Sequence, residues 1–177
     1  MKLKMILVVI VLLAISCNVQ SAGNCDLLKF WGGFFEGVGY IHPGFKGAII
    51  NINGYAQQCR IKVVLTSSFR KDNGKKLEGA KYKPASRSNH FVGHAIDMNL
   101  RDGNLLCKWA CLLNNKYHSK GVKCFTQKIM QDAGLRWGVV FKDPVHIDDA
   151  INIKKSEEYD GLYQLLQANC NFLPVSG

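Results

Sequence analysis

Apolar and polar positions alternate with different periods along the chain, and each change of period marks an element. Residues 60–65 are rich in β-branched side chains and read as a buried strand that delivers Ser67, Ser68, Phe69 and Arg70 at its end. Residues 95–100 alternate strictly, so Ile96, Met98 and Leu100 share one face of a half-buried strand while Asp97 and Asn99 share the other. Asp102-Gly103-Asn104 predicts a turn capping a helix over 105–114, and a second helix over 125–133 stops at Gly134. Residues 138–141 read as a short strand delivering Asp143 and His146. Tyr159, Leu162, Tyr163 and Leu166 recur at helical spacing behind Ser156, which predicts a last helix to residue 168.

The remaining stretches are less regular. Residues 25–38 are apolar and aromatic and begin like a helix, which Gly32-Gly33 weakens. Residues 40–54 carry His42-Pro43-Gly44 and Asn51-Ile52-Asn53-Gly54 and read as turns around a short extended piece. Residues 71–87, rich in Lys and Gly, are the expected mobile rim. With no repeat, low-complexity tract or linker, residues 22–177 read as one domain of mixed α and β structure, a size that supports a single core.

The first 21 residues change the picture. Lys2 and Lys4 precede an apolar run over 5–15, followed by small and polar residues, the pattern of a signal peptide cleaved after Ser21 or one residue later. Of seven Cys, Cys17 falls in that leader. Cys25, Cys59, Cys107, Cys111, Cys124 and Cys170 remain, and in an exported chain they predict three disulfides. Cys25 and Cys170 are candidates to tie the two ends together. Cys107 and Cys111, four apart on a predicted helix, are expected to pair elsewhere rather than with each other. The formal charge of +10 becomes +8 once Lys2 and Lys4 are removed. That balance favours anionic partners such as acidic cell-wall polymers, and the scattered Lys and Arg make no nucleic-acid motif. No stable membrane insertion is expected after cleavage.

Candidate chemistry sits in two stretches, residues 88–97 and 137–148. A catalytic zinc site takes three protein ligands and keeps a position open for water. His90, Asp97 and His146 can supply the ligands, with Asp143 close by as a proton acceptor. Gly93 between His90 and Asp97 permits a tight turn. His90 and His94 form a His-x-x-x-His pair without the Glu of the helical zinc motif, and Gly93 argues against a helix, so His94 is expected to line a groove. His42 and His118 read as ordinary surface residues.

Ser88, His90, Gly93, Ala95 and Asp97 complete a Ser-x-His-x-x-Gly-x-Ala-x-Asp pattern that resembles the zinc peptidases of the M15 family. Gly134-Leu135-Arg136-Trp137-Gly138, followed by Asp143, His146 and Asp148, looks most like its endolysin branch, departing at Val139 where a second Gly is usual. The resemblance implies a Hedgehog/DD-peptidase-like α+β fold, a small antiparallel sheet carrying zinc with helices packed behind. It implies His90, Asp97 and His146 as ligands of one zinc ion, Asp143 as catalytic acid/base, and Arg70 facing the developing oxyanion. Ser68 and Phe69 stand where the family has Gly and Tyr. Ser88, His94, Trp137 and Asp148 are expected behind the ligands or along the groove. The implied activity is hydrolysis of peptidoglycan stem peptides at bonds involving D-amino acids, by a secreted endopeptidase or carboxypeptidase. The alternative is a secreted zinc-containing binding or signalling module of the same fold without catalysis.

Overall fold

Ile49, Ile52, Asn53, Ala56 and Cys59 are spaced as one face of a helix, and in the computed structural model they are the buried face of α1 (Lys46–Cys59). The structure describes residues 17–22, 25–74 and 85–170. The chain is extended to Ile41 and turns through Pro43–Phe45, but the turn expected over 51–54 is replaced by this 14-residue helix. Its Gly and Asn residues have poor helix propensity, and burial of the Ile stripe overrides it. Residues 25–38 are likewise extended rather than helical: β2 (Cys25–Gly32), β3 (Phe35–Glu36) and β4 (Val38–Ile41).

Two sheets result. The smaller is antiparallel in the order β1-β2-β4, with β1 spanning Cys17–Ala22. The larger runs β3-β5-β6-β9-β8, where β5 is Lys62–Ser67, β6 Ala95–Asp102, β8 Arg136–Trp137 and β9 His146–Asp148. All its pairings are antiparallel except β3 with β5. A further strand, β7 (Leu105–Cys107), pairs with β6. Residues 1–16 of the expected leader lie outside the described residues, while five of the six β1 residues fall before the expected cleavage point.

The helix expected over 105–114 is instead β7 followed by the five-residue α2 (Trp109–Leu113). Asp102 does not cap it. Its carboxylate accepts from Ser119 Oγ and Gly121 N at the start of α3 (Lys120–Gln131), five residues before the expected start at 125. Ser119 caps that helix through Val122 N. Its end is capped at Asp132 rather than Gly134. Residues 138–141 form a turn of 3₁₀ helix, not a strand. The chain closes with α4 (Ile151–Lys154) and α5 (Ser156–Asn169). Of the expected rim, residues 75–84 lie outside the described residues.

The main core joins the larger sheet to α1 and α3 through Ile49, Ile52, Val63, Met98, Leu100, Phe125 and Ile129. A second cluster under α5 gathers Leu27, Phe69, Val92, Tyr159 and Leu166. Disulfides join Cys25 to Cys170, Cys59 to Cys124 and Cys107 to Cys111. The last pairing corrects the expectation of separate partners. Cys107 ends a strand, and the turn at Lys108 folds α2 back so that the two Cα atoms stand 5.2 Å apart. The architecture is α+β, stapled by disulfides. Among the described residues no helix is long and apolar enough to cross a membrane.

Candidate metal centre

Three segments far apart in sequence meet at one point. His90 comes from a single 3₁₀ turn, Asn89–Val92, which ends at Gly93 in the left-handed region (φ 69°). A Cβ on Gly93 would stand 2.6 Å from His42 N, so the turn fits only a glycine. Asp97 and His146 are direct cross-strand partners in the β6–β9 pairing. The sheet therefore fixes two of the three groups and the turn supplies the third.

His90 Nε2, Asp97 Oδ1 and His146 Nδ1 lie 3.0, 3.1 and 3.1 Å from one another. The remaining ring nitrogens are committed elsewhere. His90 Nδ1 donates to the Ser68 carbonyl at 2.7 Å, and His146 Nε2 donates to Asp148 Oδ2 at 2.8 Å. In the neutral tautomers those bonds select, both inner nitrogens present lone pairs towards each other and towards a carboxylate oxygen. Three acceptors at such distances repel unless a proton or a metal ion stands between them. Metal–ligand bonds of about 2.0–2.1 Å at tetrahedral angles set ligand atoms roughly 3.3 Å apart, close to the spacing here. Two imidazoles and one carboxylate form a donor set suited to zinc, so the residues present fit that ion.

The charges point the same way. Burial works to raise the Asp97 carboxyl, but the His90 and His146 imidazoles beside it, in their protonated forms, hold it well below the usual range. Burial works to lower His146, yet its bonds to Asp148 and Asp97 carry it up to about 9, so with no metal the site retains a proton. Asp148 is itself buried and accepts two bonds from Arg136, at 2.8 and 2.6 Å, and one from Asn89 Nδ2 at 2.8 Å. Such partners behind a ligand fix its ring and its basicity.

Asp143 sits in a turn built on Gly138. Asp143 N donates to Gly138 O and His146 N to Asp143 O. A Cβ on Gly138 would collide with Asp143 O and stand 2.9 Å from His146 Cβ. Trp137 is buried, and its Nε1 donates to Pro144 O at 2.6 Å, bracing this turn from the core. The Asp143 side chain is half-buried, and burial, then the Asp97 charge, push its carboxyl up. Arg70 approaches from the end of β5: Nη1 is 3.5 Å from Asp97 Oδ2 and 3.2 Å from Ser67 Oγ. Its Nε is buried with no hydrogen-bond partner among the described residues.

His94 does not line a groove. It is 3% exposed, with Nδ1 2.7 Å from Asp149 and Nε2 3.0 Å from His42 Nδ1. It lies just before β6, and its ring nitrogens meet His42 and Asp149 rather than Asp97. His42 is accordingly partnered, and His118 is buried with Nε2 donating to Leu112 O, so neither is the free surface residue expected. Ser88 is buried and offers its carbonyl to Tyr159 Oη, while its hydroxyl caps nothing. The Ser68 carbonyl, Asn89 and Arg136 were not foreseen. A backbone oxygen leaves no trace in residue type, and Arg136 stands opposite Asp148 only once β8 and β9 pair.

Residues 82–149 match the family model described as D-alanyl-D-alanine carboxypeptidase, of the M15 peptidases. The match supports an M15 family peptidase. No curated protein and no solved structure matches the chain. The M15 match spans His90, Asp97, Asp143 and His146, whereas Arg70, α1 and α5 lie outside it.

Proposed function

We propose that the protein is an exported zinc peptidase that hydrolyses peptidoglycan stem peptides at a bond involving a D-amino acid. The observation that carries this reading is the convergence of the three lone pairs of His90, Asp97 and His146 within a segment of the carboxypeptidase family. In this reading those residues hold one zinc ion, which when bound supplies Lewis acidity and a more acidic water. Asp143 takes the proton from the attacking water and returns it to the leaving amine, a task its raised carboxyl suits. Arg70 sets a positive guanidinium, with its Nε still unpaired, where charge develops on the carbonyl oxygen. Asp148 and the Ser68 carbonyl hold the two imidazoles in their metal-binding tautomers. Residues 1–21 are removed on export, and the resulting +8 chain docks on anionic wall polymers.

Purified mature protein incubated with peptidoglycan, with and without a chelator, tests the whole reading, the new peptide ends being identified by mass spectrometry. Ends that vanish on chelation and return with zinc are the expected result and also name the bond. One tightly held zinc per chain with no new ends would overturn the peptidase reading in favour of a binding module.

A further inference from the structure

The side chain of Gln167, on the last turn of α5, uses its whole amide at a single junction. Its Nε2 donates to Phe91 O at 2.7 Å and to Arg70 O at 3.3 Å, and its Oε1 accepts from Asp72 N at 2.8 Å. One side chain thus spans the loop that carries Arg70 and the turn that carries His90. The same loop is stitched to that turn by Arg70 N donating to His90 O and by His90 Nδ1 donating to Ser68 O. Four residues before Gln167, Tyr163 donates to Asp72 Oδ2, and three residues after it Cys170 is bonded to Cys25. The end of α5 is therefore fixed on both sides of Gln167.

We infer that Gln167 is a positioning residue, which holds the Arg70 guanidinium in register with the His90 turn for the reaction. This rests on the peptidase reading for its catalytic consequence, but not for its geometry. Asn is one methylene too short to bridge the two carbonyls, and Glu keeps only the bond from Asp72 N because a carboxylate cannot donate.

The test compares Gln167→Ala and Gln167→Glu with the wild-type chain. Zinc affinity is expected to stay within about twofold, since no ligand is touched. A misplacement of about 1 Å at a reacting group costs on the order of a hundredfold, so kcat is expected to fall by roughly ten to a hundredfold in both variants with KM little changed. In an Arg70→Ala background the Gln167→Ala effect is expected to disappear. An equal loss of kcat in both backgrounds would mean a merely structural role and overturn the inference. Amide hydrogen exchange gives a readout independent of activity: exchange at Arg70 and Asp72 is expected to quicken about tenfold in Gln167→Ala, with residues 96–100 of β6 unchanged. Unaltered exchange at those two amides would overturn the inference even if the wild-type chain hydrolysed nothing.

Discussion

Asp148 grips His146 from behind, its Oδ2 accepting from Nε2 at 2.8 Å, while Arg136 clamps the same carboxylate with two bonds. That arrangement dictates which nitrogen of His146 faces Asp97 and His90. Replacing Asp148 with Asn removes the charge and frees the ring to turn. Zinc affinity should fall by about ten to a hundredfold, read by competition with a coloured chelator. Asp148 is also a buried partner of Arg136, so the melting temperature should drop as well.

Asp143 and Arg70 are expected to separate from the ligands in a mutational series. Asp143→Ala should keep zinc and fold while lowering kcat by about a hundred to ten-thousandfold. Arg70→Ala should lower kcat by about a hundred to a thousandfold. His90→Ala should lose metal and turnover together. Hydrolysis at the wild-type rate by the Asp143 variant would exclude it as the proton acceptor.

The acid limb of the pH profile follows from the same carboxyl. Asp143 accepts a proton only when ionised, and burial with the nearby Asp97 charge raises the pH at which it ionises. Activity should therefore be lost on acidification at a pH above the ordinary carboxylate value of about 4. The residual rate of Asp143→Asn should no longer carry this limb.

Gly138 is expected to tolerate no side chain. Its φ is not in the left-handed region, so the constraint is space: a methyl group would meet Asp143 O and crowd His146 Cβ. Gly138→Ala should cost about 1–3 kcal/mol of stability, the scale of overpacking, and weaken zinc binding by shifting His146. Val139→Gly is the control, since Val139 is partly buried at the edge of the core and its loss should leave zinc affinity unchanged.

Much of this molecule is legible in its sequence. His90, Asp97 and His146 advertise themselves by residue type and order, and the alternation over 95–100 already put Asp97 on the polar face of β6. Helix α1 was hidden because Asn51, Asn53 and Gly54 signal turns locally, while the stripe Ile49, Ile52, Ala56 gains its meaning only when packed on the sheet. The Cys107–Cys111 bond was hidden for the opposite reason: a helical reading of 105–114 set those residues on a continuous helix, and the chain bends between them. Side chains acting on backbone carbonyls, such as His90 on Ser68 or Gln167 on Phe91, leave no mark in composition at all.

The pairing of Asp97 opposite His146 has one more consequence. A slip of one residue between β6 and β9 would turn one of the two to the other face of the sheet, where no ion could be shared. An ion held at this point works as a rivet between strands 49 residues apart in sequence. Such an ion would be held only once β9 has paired with β6 in this register, so its loading would report that pairing.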